Sequence, residues 1–110
     1  MDVLFLVEDE SALRHFFGEV FSPQYEVLMA VSFPEAMEKI QQLKERNCRV
    51  AMVDGSLGHH KGDGKDIAER LRNEIPGIRI VACSAEEQDW GDINLLKPAP
   101  IADLLEAVRG

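Results

Sequence analysis

The feature that most constrains this chain is a regular alternation of short apolar runs with segments of helical period. The runs are Val3–Val7 (VLFLV), Tyr25–Ala30 (YEVLMA), Arg49–Val53 (RVAMV), Ile78–Cys83 (IRIVAC) and Ile93–Leu96 (INLL). Three of them are apolar almost without a break. A strand with one wet face alternates polar and apolar residues, so an unbroken run calls for cover on both faces, as in a parallel sheet.

The intervening segments supply that cover. Residues 11–21 space Leu13, Phe16, Phe17, Val20 and Phe21 along one side of a helix. Residues 34–45 start on Pro34 after Ser32, a good entry signal, and carry Ala36, Met37, Ile40 and Leu43. Residues 65–75 carry Ile67, Ala68, Leu71 and Ile75 and stop at Pro76-Gly77, and residues 101–109 carry Ile101, Leu104, Leu105 and Val108. Strands alternating with helices argue for βαβ units, whose right-handed crossovers place helices on both faces of the sheet. One link departs from this. Only nine residues, SAEEQDWGD, separate Cys83 from Ile93, where a parallel crossover usually takes about a dozen or more. The helix expected there is a turn or two at most, with Trp90 filling the space it leaves. A segment so short buries little area, so it is expected to be the least stable part of the chain.

Length and charge narrow the function. With 110 residues and no repeat or linker, residues 1–110 read as a single domain. Such a chain can bury a core without metal or disulfide staples, and Cys48 and Cys83, each in or beside an apolar run, read as buried reduced thiols of a cytoplasmic protein. No apolar run approaches the ~20 residues of a membrane span. The opening MDVLFLVEDE has no basic stretch and meets acids too soon for a secretory leader. Twenty acids against twelve Lys and Arg give a net charge of −8. Phosphate backbones repel that surface, which points to protein partners rather than nucleic acid.

In open parallel sheets, ligands sit at the carboxyl ends of the strands. Here the first run ends in Glu8-Asp9-Glu10 and the third in Asp54, while Ser84-Ala85 follows the fourth and Lys97-Pro98 the fifth. Each has an ordinary explanation taken singly. Asp9 can cap a helix, Asp54 before Gly55-Ser56 can make a turn, Ser84 can cap a short helical turn, and most lysines are simply solvated. Together they have a chemical logic. Carboxylates gathered at one edge repel one another, and a hard cation such as Mg²⁺ relieves the repulsion in a site of carboxylates, waters and a phosphate. A lysine supplies a point charge for a phosphoryl oxygen and a serine a hydrogen bond, and carboxylates are known nucleophiles toward phosphorus. The arrangement suits a phosphoryl group on Asp54.

At this point the sequence resembles the receiver domain of two-component response regulators, over the whole chain: VLFLVEDE, VAMVDGSL, DGKDIAERLR, IRIVACSA and LLKP. The resemblance implies a flavodoxin-like, doubly wound five-stranded parallel sheet of order 2-1-3-4-5, with the fourth helix shortened or absent. It implies that Glu8, Asp9 and Asp54, with the main-chain carbonyl of Ser56, hold Mg²⁺. Asp54 would accept a phosphoryl group from a histidine kinase or histidine phosphotransfer protein, and Ser84, the Ala85 amide and Lys97 would bind it. The Lys97-Pro98 bond is then expected to be cis. The chain would catalyse only its own phosphorylation and dephosphorylation and switch protein–protein contacts. With no output segment after Gly110, a stand-alone receiver is expected.

Three departures from that family bear on output. Asn94 stands where an aromatic is usual, three residues before the lysine. The fourth helix is trimmed, and the loop GSLGHHKGDG is longer than usual, with Gly58 where proline is common. His59 and His60 in that loop read as solvated residues. The missing aromatic and the trimmed helix favour a second reading, an interaction module that keeps the fold without using phosphorylation; the complete set Glu8, Asp9, Asp54, Ser84 and Lys97 favours the first. A small-molecule hydrolase working through an aspartyl-phosphate would need an acid/base two residues after Asp54 and a substrate cap. Position 56 is Ser and no insertion is long enough for a cap.

Overall fold

The computed structural model describes residues 1–57, 60–61 and 63–110. In order the elements are β1 (Asp2–Val7), α1 (Ser11–Phe21), β2 (Tyr25–Ala30), α2 (Phe33–Glu45), β3 (Val50–Val53), β4 (Ser56–Leu57), β5 (His60–Lys61), α3 (Asp63–Glu74), β6 (Arg79–Ser84), β7 (Ile93–Leu96) and α4 (Ile101–Arg109). Five strands form one parallel sheet in the order β2-β1-β3-β6-β7, the 2-1-3-4-5 order of the flavodoxin-like expectation.

The unbroken apolar runs are the central strands, as their composition required. In β1, Val3, Phe5 and Val7 join a core with Ile40 and Leu43 of α2 and Ile67 and Leu71 of α3. Leu4 and Leu6 face the other way, onto Phe17 and Phe21 of α1 and Leu104 and Val108 of α4. α2 begins where its signals said: the Ser32 hydroxyl accepts from the Glu35 N–H at 3.2 Å, with Pro34 in the first turn. Its end is closed by Asn47 in the left-handed region (φ 55°), after which the Cys48 N–H donates back to the Leu43 carbonyl at 2.9 Å. Cys48 and Cys83 are free and buried, and no described helix is long and apolar enough to cross a membrane.

Four expectations need correction. Ile101, at the start of α4, is 50% exposed instead of core. α3 begins at Asp63 rather than 65, with Asp63 and Asp66 favouring the positive end of its dipole. On α1, Phe16 is 39% exposed instead of core, its ring stacked at a tilt on Phe17. In the stretch after Asp54, the structure adds a small antiparallel hairpin, β4 with β5. The expectations for Gly58 and for the His59 and His60 side chains lie outside the described residues.

No helix forms between β6 and β7, and Trp90 packs against the core that α2 and α3 build. The link is less loose than its length suggested. Asp92 exchanges two hydrogen bonds with Ile80: its N–H donates to the Ile80 carbonyl, and its carboxylate accepts from the Ile80 N–H, both at 2.7 Å. Asn94 clasps Gly91, accepting from its N–H at 2.9 Å and donating to its carbonyl at 3.2 Å. Arg72 of α3 donates to the Trp90 carbonyl at 2.7 Å and pairs with Asp92 at 3.5 Å. Residues 85–89 of the link are mostly exposed.

Candidate functional site

Sheet register brings the strand ends together. Val7 is paired with Val53, and beyond them the Asp54 N–H still donates to the Val7 carbonyl at 3.1 Å. At the other side Ser84 is paired with Leu96, and the Lys97 N–H donates to the Ser84 carbonyl at 2.8 Å. Glu8, Asp54, Ser84 and Lys97 thus follow neighbouring strand ends at one edge. Together with Asp9, Glu10, Leu13, Ser56, Ala85 and Glu86 they line a cleft of about 430 Å³. Every residue singled out in the sequence for this chemistry stands there.

The ordinary roles open to these residues fare differently. The N-cap position of α1 falls on Glu10, not Asp9. Asp54 does make a turn, its Oδ1 accepting from the Ser56 N–H at 3.2 Å, yet Oδ2 remains to accept from Lys97 Nζ at 3.2 Å. Ser84 Oγ accepts from the Glu86 N–H at 3.4 Å, a side-chain turn with no helix after it. Lys97 is no solvated lysine: Nζ also donates to Glu8 Oε1 at 2.7 Å, and its side chain is 14% exposed. The Lys97-Pro98 bond is cis.

Burial governs the electrostatics. Glu8 is 1% exposed, and loss of water pushes its carboxyl up from 4.5 to about 7, although the hydrogen bond and charge of Lys97 pull it down. Burial alone would lower the Lys97 pKa. The Glu8 hydrogen bond and the charge of Asp54 outweigh it, and the net shift is upward. One ammonium thus faces two buried carboxylates.

Carboxylate oxygens of Glu8, Asp9 and Asp54 lie within 4.8 Å of one another, a spacing one cation can bridge. The donor set fits Mg²⁺: hard oxygens, and an acid excess that Lys97 offsets only in part. Glu8 has one oxygen on Lys97 and the other accepting from the Glu10 N–H at 3.2 Å, and Asp54 is engaged in the same way by Lys97 and the Ser56 N–H.

Sequence reasoning passed over two residues that shape the cleft. Arg14 of α1 donates to the carbonyls of Glu8 at 3.0 Å and Asp9 at 3.1 Å, fixing the acidic turn from behind. Gly64 of α3 lies so close to Asp54 that a Cβ there would fall 2.0 Å from the Asp54 carbonyl oxygen. Only glycine lets the start of α3 approach the strand end. The Gly-Lys-Asp string around it gave no hint of which glycine touches Asp54.

Fold and site together define a class of α/β domain that gathers strand-end acids, a hydroxyl and a lysine at one edge of a parallel sheet. Residues 4–109 match the response regulator receiver domain, and the chain belongs to that family. In structure it is similar to a CheY-like response regulator receiver domain protein from Methanospirillum hungatei JF-1, with TM-score 0.85 and 20% identity over 99% of this chain and 91% of that one. It is also similar to a receiver domain protein from Clostridium thermocellum, with TM-score 0.84 and 18% identity over 99% and 92%. A third is a Burkholderia pseudomallei response regulator with a phosphorylated aspartic acid, a calcium ion and citrate; there the TM-score is 0.80 and the identity 19%, over 98% and 66%. At such identities the likeness is one of fold. No curated protein matches the chain.

Proposed function

We propose that this receiver domain accepts a phosphoryl group on Asp54 from a histidine kinase or histidine phosphotransfer protein and thereby changes which proteins it binds. The observation that carries the reading is the single ammonium of Lys97 placed between Glu8 Oε1 and Asp54 Oδ2 at the floor of an open cleft. In the transfer, an Asp54 carboxylate oxygen forms a bond to phosphorus as the P–N bond to the donor imidazole breaks. The electron pair leaves with the imidazole nitrogen, which takes a proton. Lys97 Nζ turns to a phosphoryl oxygen, and the Ser84 hydroxyl and Ala85 N–H stand at the same edge to donate to the others. Mg²⁺ held by Asp9, Asp54 and the Ser56 carbonyl, with Glu8 behind, would supply the positive charge that lets two anions meet. The chain acts on itself and is not an enzyme with turnover on a substrate.

Further features support a protein donor in the cytoplasm. An apolar cleft of about 330 Å³, lined by Leu13, Phe16, Phe17, Pro98 and Ala99, adjoins Lys97 and offers a seat beside the acceptor. Two free buried thiols fit a reducing compartment, and the net charge of −8 disfavours nucleic acid. The test is incubation with acetyl phosphate and Mg²⁺ followed by peptide mapping. A hydroxylamine-labile modification on the peptide holding Asp54 is expected; a modification elsewhere would refute the assignment.

One observation favours the second reading, an interaction module independent of phosphorylation. Asn94, at the position where the family usually has an aromatic, is exposed and tied to Gly91. Partner binding that is identical for the wild type and Asp54→Asn, with and without phosphodonor, would favour it.

A further inference from the structure

The link between β6 and β7 reaches back toward Gly55 by one side chain. A Cβ built on Gly55 would fall 2.5 Å from Gln88 Nε2, 2.7 Å from Gln88 Cδ and 3.0 Å from Ser84 Oγ. The Gln88 amide and the Ser84 hydroxyl therefore pack around one point beside the backbone of Asp54-Gly55, a space that any side chain at position 55 would contest. Gln88 lies outside the cleft that holds the carboxylates; it lines a separate concavity with Asn94, Leu96 and Pro98. Its other end is held, because Trp90 Nε1 donates to Gln88 Oε1 at 2.7 Å. Trp90 in turn is held by Arg72 of α3 through its carbonyl, at 2.7 Å.

We propose that Gln88 is the positioning residue through which Ser84 reports the state of Asp54 to Trp90 and α3. The inference rests on the reading of Asp54 as a phosphoryl acceptor. A phosphoryl group beside Ser84 offers anionic acceptors far stronger than anything its hydroxyl now meets. As the hydroxyl turns toward them, the space beside Gly55 changes, and the Gln88 amide packed there has to follow. Its bond to the Trp90 indole passes the shift along the link to Arg72. The alternative route, along β7, is closed on the described residues: Asn94 is engaged with Gly91, and Leu96, the register partner of Ser84, is exposed with no ring to draw inward.

Trp90 is the chain's one tryptophan, so the emission reports the surroundings of that indole. The test compares wild type, Gln88→Ala and Gln88→Glu, the last keeping an acceptor for the indole. Each is exposed to acetyl phosphate and Mg²⁺, with uptake followed by intact mass and Trp90 by emission. Wild type is expected to change emission as it gains mass. Gln88→Ala should gain mass at a rate within about threefold of wild type while losing most of the emission change. Gln88→Glu should recover it. Should Gln88→Ala fail to fold, hydrogen exchange in wild type decides: phosphorylation should alter protection of Trp90–Asp92 and the last turn of α3. Mass gain without any emission or exchange change in wild type, or a full emission change in Gln88→Ala, overturns this inference and leaves the acceptor assignment standing. Failure of wild type to gain mass overturns both.

Discussion

The Lys97 ammonium stands 2.7 Å from Glu8 Oε1, joining the end of the last strand of the sheet to the end of the first. Glu8 is fully sequestered there, and breaking a buried pair by removing one partner typically costs about 3–5 kcal/mol. Lys97→Met, which keeps length without charge, is expected to lose stability of that order at pH 8. The loss should shrink at pH 5, where Glu8 takes a proton and no longer needs a cation. Denaturant titrations at the two pH values check this; an equal loss at both would mean that the pairing with Glu8 does not carry the contribution of Lys97.

Glu8 itself gives a pH dependence of defined sign. Its carboxyl is raised from 4.5 to about 7 by burial, so the folded state holds a proton that the unfolded state releases. Its contribution favours folding below about pH 4.5, declines as the pH rises to about 7, and is gone above. Compared with Glu8→Gln without divalent cation, wild type should therefore lose relative stability across that window, by on the order of 3 kcal/mol at most. A relative stability that rises with pH would contradict the burial argument.

Asp9 tests the cation site. Asp9→Asn removes a charged hard ligand while Arg14 still holds the turn by its carbonyls, so the fold should persist. Mg²⁺ affinity should fall several-fold or more, read by titration of Mg²⁺-dependent melting. An unchanged titration would move the cation elsewhere.

Cys83 immediately precedes Ser84 and packs in the core beneath α1 and α4, and burial first, then the charges of Glu8 and Asp54, push its thiol up to about 11 against the pull of Lys97. Burial raises Cys48 as well. Neither thiolate forms at neutral pH, so a thiol reagent should modify neither cysteine in the native chain and both in denaturant. Rapid labelling of Cys83 in the native chain would show that the sheet edge opens.

The parts of this molecule that were legible in sequence are those set by local pattern. VLFLV and RVAMV suit strands covered on both faces, and a parallel sheet then gathers the residues after the strand ends at one edge. Ser32 and Pro34 marked the start of α2 to within a residue. The hidden features depend on approach across the fold. Nothing in the sequence says that Gly64 touches the Asp54 carbonyl, that Arg14 braces the acidic turn, or that Gln88 reaches Gly55. The segment before β7 hid its bonds for a related reason: its shortness showed that no full helix fits, but not that Asp92 would bond to the sheet and Asn94 to Gly91.

Asp54 is the residue on which the proposed function turns, and intact mass tests its role most directly. Incubated with acetyl phosphate and Mg²⁺, the wild-type chain should gain the mass of one phosphoryl group, and Asp54→Asn, which keeps the size of the side chain and its turn with Ser56, should gain none. Equal labelling of both proteins, or none in either, would contradict that role.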